Sequence, residues 1–138
     1  MEEFDNNIQI NHEISLIKSF VVKDRQRRYI DLLSTTKGRI KFRAYIAHFK
    51  DLNHQFCTTI PTDVSQSIDL YNLLKSKNAP ETCYVISSNS ALDKKTLLLK
   101  DATKDLFCSG VDYFLSCIPG KLAYFEGEEP KCRFILQK

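Results

Sequence analysis

The sequence predicts an α+β fold, with N-terminal helices packed on a mostly antiparallel C-terminal sheet. Three features predict it. Apolar residues recur at helical spacing up to about residue 78 and at alternating spacing from about residue 83. Ile118-Pro-Gly-Lys121 is a tight-turn signal set between two apolar runs. No Gly- or Pro-rich stretch divides the 138 residues, which hold only four of each, so 1–138 reads as a single domain.

Residues 1–10 read as a loosely ordered end. Asn11 is placed to cap a helix whose inward stripe is Ile10, Ile14, Ile17 and Val21, widened by Leu16 and Phe20. Asp24 can cap a second helix running to about Leu33, with Val22, Tyr29, Ile30 and Leu33 inward; one continuous helix over 13–33 is the rival reading. Ser34-Thr-Thr36 and Gly38 interrupt the pattern. A third helix follows over 39–49. Its stripes Ile40, Ala44, Ala47 and Phe42, Ile46, Phe49 make an apolar arc wide enough to imply burial of much of the helix. Residues 50–62 read as a loop. Asp63–Gln66 has capping-box spacing and opens a helix bearing Val64, Ile68, Tyr71 and Leu74, which Asn78-Ala-Pro80 stops.

Beyond that point the residues favour strands. Cys83–Ser87 is short, apolar and rich in β-branched and aromatic residues. Residues 88–93 read as a loop, Lys95–Leu99 as a short strand, and Lys100–Cys108 as a short helix ended by Ser109-Gly110. Asp112–Ile118, Lys121–Gly127 and Cys132–Gln137 complete the strands. If Ile118 faces Lys121, then Cys117 faces Leu122, Leu115 faces Tyr124 and Phe114 faces Phe125. One hairpin face carries Tyr113, Leu115, Cys117, Leu122 and Tyr124; the other carries Phe114, Ile118, Ala123 and Phe125. Both are apolar, so helices or a partner chain must cover both sides. A type II turn fits hairpin twist less well than the primed turns, which favours a nearby bulge.

The net charge of +3 conceals an asymmetry. Residues 23–50 carry nine Lys/Arg against two Asp, a local +7, while residues 1–22 carry −3 and 51–138 carry −1. Asp24 and Arg28, and Arg27 and Asp31, stand at i, i+4 spacing and can answer one another. Arg25 has no local partner, and helical spacing places Arg39, Arg43 and Lys50 on one side. This points to a basic helical surface in residues 23–50 for an anionic partner, an acidic protein or nucleic acid. Arg25, Arg39 and Arg43 are the candidate binding residues. A second copy of the chain, meeting through an apolar sheet face, is the other partner considered. The third helix lacks Asn and Gln and a clean outer face, which argues against sequence-specific reading of DNA.

No P-loop, dinucleotide fingerprint, nucleophile elbow or metalloprotease motif occurs. Five cysteines are scattered without a C-x-x-C pair, and with three histidines they do not suggest a metal site. No cofactor is expected. The favoured function is a non-enzymatic binding module. The alternative is a small enzyme using Cys117 or Glu126 with a histidine that folding brings close. Cys117 nevertheless reads as a packed thiol, Glu126, Glu128 and Glu129 as a wet loop, and His48 as a helix-end residue. His54 follows Asn53 in a loop and has no readable partner. The acidic MEEFDNN opening, the lack of a long apolar run and the unpaired cysteines suit a cytoplasmic setting with no membrane span.

Ser116-Cys-Ile-Pro-Gly-Lys-Leu-Ala-Tyr-Phe-Glu-Gly127 resembles the tail of small bacterial proteins without an assigned function, and Tyr45-Ile-Ala-His-Phe-Lys-Asp-Leu52 is similar to a segment of the same group. The resemblance implies a bacterial cytosolic protein with one compact fold. It transfers no activity and no site residues.

Overall fold

In the computed structural model, which describes residues 2–128 and 132–138 and the side chains from residue 9 onward, six strands form one antiparallel sheet. They are β1 Cys57–Thr59, β2 Thr82–Ser87, β3 Thr96–Leu98, β4 Tyr113–Ile118, β5 Leu122–Glu126 and β6 Arg133–Gln137. Their order across the sheet is β1-β6-β5-β4-β2-β3. The described residues also form five α-helices: α1 Glu2–Phe20, α2 Lys23–Leu33, α3 Thr36–Tyr45, α4 Ser67–Ser76 and α5 Leu99–Leu106. The fold is α+β, and none of these helices is long and apolar enough to cross a membrane.

The sheet is a middle layer because its central strands are apolar on both faces. Phe114, Ala123 and Phe125 pack with Leu16, Ile17, Phe20, Phe42 and Ile46 on the side of α1–α3. Tyr113, Leu115, Cys117, Leu122 and Tyr124 pack with Leu70, Leu74, Leu99, Ala102 and Leu106 on the side of α4 and α5. None of these eight hairpin residues is more than 2% exposed. Helices of the same chain therefore supply the two-sided cover that the hairpin requires, and the sheet face considered for a second copy is already occupied.

The central hairpin keeps the expected register at Phe114↔Phe125 and Leu115↔Tyr124. Beyond Ser116↔Ala123 the register shifts, and Ile118 rather than Cys117 faces Leu122. The cause is the turn. Gly120 sits at φ +71°, and the Lys121 N–H donates to the Ile118 carbonyl at 2.9 Å. A bulge absorbs the mismatch between this bend and the twist of the strands. It also turns Ile118 toward the same core as Cys117, where strict alternation would have sent it to the opposite face.

Several boundaries differ from those read in the sequence, among them α3, which spans Thr36–Tyr45 and not 39–49. The first helix starts at Glu2, not at Asn11, so residues 2–10 are helical where a loose end was expected. The helix stops at Phe20, and the chain breaks before α2: the Val22 N–H donates to the Asp51 carbonyl, and the Asn53 N–H to that of Phe20. The two helices read in the sequence are therefore present, and the rival reading of one continuous helix over 13–33 is excluded. Short β1 lies inside the segment read as a loop and pairs with β6. The start of α4 also falls later than Asp63, since the Asp69 carboxylate accepts the Gln66 N–H at 2.9 Å.

Between α2 and α3 the chain turns within two residues. The Thr35 hydroxyl oxygen accepts the Gly38 N–H at 2.9 Å and caps α3. Gly38 is required by close approach, because a Cβ there would lie 2.3 Å from the Leu32 carbonyl oxygen. Backbone cannot yield to such a contact as a side-chain tip can. Gly38→Ala is expected to lower stability by about 2 kcal/mol, in the range of overpacked sites, read as a lower urea midpoint with an unchanged m-value.

Candidate anion-binding pocket

The basic stretch does not present the surface that helical spacing suggested. In α3 the Ile40 and Ala44 stripe faces solvent, with Ile40 60% exposed, whereas Arg39 is buried. The Arg39 guanidinium is gripped from two sides. It donates to both Glu13 oxygens at 2.7 and 2.8 Å, and to both Asp93 oxygens at 2.8 and 3.1 Å. Tyr84 O–H donates to Glu13 at 2.7 Å, and Ser87 N–H to Asp93 at 3.0 Å. Burial alone would lower the Arg39 pKa, but the hydrogen bonds to Glu13 and Asp93 outweigh it and hold the group charged. Arg43 lies one turn on. It donates to the Ser87 and Ser88 carbonyls at 3.3 and 3.2 Å and stands 3.9 Å from Asp93. Arg39 is therefore corrected from a surface ligand to a structural group, because carboxylates from α1 and the loop after β2 satisfy it, and half-buried Arg43 is tied by two of its nitrogens to carbonyls at the end of β2.

Arg25 remains exposed and lines a pocket of about 390 Å³ between α2 and the segment that leaves α3. Arg25, Arg28 and Tyr29 stand at i, i+3 and i+4 on α2 and so share a face. The other wall is Ala44, Tyr45, His48, Phe49, Lys50 and Asp51, carried by the end of α3, a 3₁₀ turn at Ile46–His48 and the chain after it. Among the described residues no carboxylate lies within ion-pairing distance of Arg25, Arg28 or Lys50. Arg28 donates to the Tyr45 hydroxyl at 3.4 Å and does not pair with Asp24. The one acidic lining residue, Asp51, accepts the Tyr29 hydroxyl. Burial and this bond push the Tyr29 pKa up, so it remains a donor. His48, at the rim, lies 2.8 Å from Glu128 in an exposed pair.

Sequence reading picked out Arg25 here and counted Lys50 only with Arg39 and Arg43. It missed Arg28, Tyr29, Tyr45 and Asp51. The 25–28–29 spacing on one helical face was an available signal, but nothing local shows that this face meets Tyr45. A second groove, about 430 Å³ between α1 and α2, is walled by Ile10, Ile14, Ile30 and Leu33 and lacks cations.

Of the candidate chemical groups elsewhere, Cys117 and Glu126 are sealed. Cys117 is buried in the α4–α5 core, where burial and nearby Cys83 push its thiol pKa up. Burial takes Cys83 to about 12 and Cys57 to about 11. His12 is on the opposite face of the sheet. It is 2.7 Å from Ser116 Oγ and stacks on Tyr84 at 5.2 Å, and burial lowers its pKa despite Glu13 beside it. His54 is exposed in a 3₁₀ turn. Glu126 is not part of a wet loop: it is 3% exposed and accepts Tyr113 O–H at 3.1 Å, Tyr124 O–H at 2.8 Å and Cys108 N–H at 3.0 Å. Glu128 is exposed, and Glu129 lies outside the described residues. Among the described residues no group of three or more His, Cys, Asp or Glu is placed to hold a metal ion.

Comparison with protein-family models, curated proteins and solved structures finds no match to this chain.

Two outcomes follow from these placements. Arg39→Met strands two buried carboxylates and is expected to cost about 3–5 kcal/mol, measured by chemical denaturation, while Arg25→Ala changes stability by less than about 0.5 kcal/mol. Iodoacetamide at neutral pH is expected to label exposed Cys108 first and to leave Cys83 and Cys117 unmodified until denaturant is added, as read by peptide mass spectrometry.

Proposed function

We propose that this chain is a binding module that holds an anionic partner at the pocket formed by Arg25, Arg28 and Lys50. The carrying observation is that these three cations converge on an aromatic-walled concavity with no carboxylate paired to any of them among the described residues. Cations left unpaired around a concave surface attract anions and release condensed counterions when a polyanion binds. Two arginines can each offer a planar fork to phosphate oxygens, and Tyr45 offers an aromatic surface beside them. This composition favours nucleic acid over an acidic protein. The burial of Cys117 and Glu126 supports a binding role over an enzymatic one, and five free cysteines suit a reducing, cytoplasmic setting.

A fluorescent single-stranded 12-mer titrated between 50 and 200 mM salt tests this reading. Affinity is expected to fall as salt rises. Arg25→Ala combined with Arg28→Ala should weaken binding and flatten the log–log salt slope by roughly 0.7 per phosphate contact removed. The reading fails if the double variant binds with wild-type affinity and slope.

A further inference from the structure

Building on that anion-binding reading, we propose that the pocket seats one nucleotide unit, with its phosphate against Arg25, Arg28 and Lys50 and its base laid on Tyr45. The concavity holds about 390 Å³, which suits a small ligand or one unit of a chain better than a long track. Of the rings that line it, Tyr29 and Phe49 are 6% and 9% exposed, whereas Tyr45 is 39% exposed. Buried Tyr29 backs the open ring, edge-on to Tyr45 at 6.4 Å. Arg28 touches the Tyr45 hydroxyl, so a cation and a stacking surface sit side by side. A phosphate bearing a planar base uses both; a bare phosphate uses only the cations.

Asp51 separates this ligand from an acidic peptide. Its carboxylate sits in the wall and receives the Tyr29 hydroxyl on Oδ2. That carboxylate repels a phosphate and a peptide carboxylate alike, but the amino or ring N–H of a base can donate to it, whereas an acidic side chain brings no donor. A base laid on a side chain must be unstacked from its neighbours, which selects a free nucleotide or a single strand over a duplex.

The test titrates the full chain calorimetrically with 5′-AMP, 5′-GMP, ribose 5-phosphate, an adenosine octamer and a polyglutamate of equal charge. Both nucleotides are expected to bind about 5- to 150-fold tighter than ribose 5-phosphate, the gain typical of one stacked base. Tyr45→Leu should erase that gap whatever its effect on ribose 5-phosphate itself, since it also frees Arg28 from the hydroxyl, and Tyr45→Phe, which frees Arg28 alike but keeps the ring, should retain the gap. An octamer tighter than 5′-AMP assigns the unit to a strand, and equal affinities assign it to a free nucleotide; both support the proposal. Equal binding of nucleotides and ribose 5-phosphate, or a gap that survives Tyr45→Leu, overturns the nucleotide assignment. The anion reading then still stands if Arg25→Ala with Arg28→Ala weakens ribose 5-phosphate binding. Polyglutamate tighter than every phosphate probe overturns the assignment in favour of an acidic protein. Binding of none of the five overturns both readings.

Discussion

The guanidinium of Arg39, held between Glu13 and Asp93, sets how the N-terminal helices lie on the sheet. It joins α1, α3 and the loop after β2 at one buried point. Such a cluster adds little net stability relative to an apolar equivalent, because desolvating the ions offsets most of their attraction. Its effect here is on rotation. With Arg39 inward, Phe42 and Ile46 enter the core, and Ile40 and Ala44 are left in water. A half-turn of α3 would bury the second apolar stripe, but it would strand two carboxylates and expose Phe42.

That rotation also builds the pocket. Tyr45 ends α3 close enough to α2 to receive the Arg28 hydrogen bond. The tight turn at Thr35 and Gly38 leaves the two helices side by side, and the 3₁₀ turn after Tyr45 redirects the chain so that Lys50 and Asp51 close the wall. Basic residues of one sequence segment thus divide between two tasks. Arg39 and Arg43 satisfy interior acceptors, whereas Arg25, Arg28 and Lys50 remain on the surface. One interior carboxylate follows the same logic. Glu126 among Tyr113, Tyr124 and the Cys108 amide is a carboxylate supplied with donors, which allows burial without reactivity.

Much of the layering was legible in the order of residues. The strands from 82 onward, the hairpin pairs at Phe114 and Leu115 and the need for cover on both faces follow from alternation and turn chemistry, which are local. The early start of α1 was not legible, since residues 1–10 carry a polar composition that resembles a frayed end. Nor was β1, whose three residues are too few to show a period and which exists because β6 offers an edge to pair with.

The candidate site divides along the same line. Sequence by itself determined that positive charge concentrates in residues 23–50 and that Arg25 lacks a neighbour to neutralise it, because charge and helical spacing depend only on nearby residues. Tertiary structure alone decided which cations stay available. The partners of Arg39 are 26 and 54 residues away, and Tyr45 reaches Arg28 across 17. Contacts at that separation come from how helices and sheet pack together, and no local spacing encodes them.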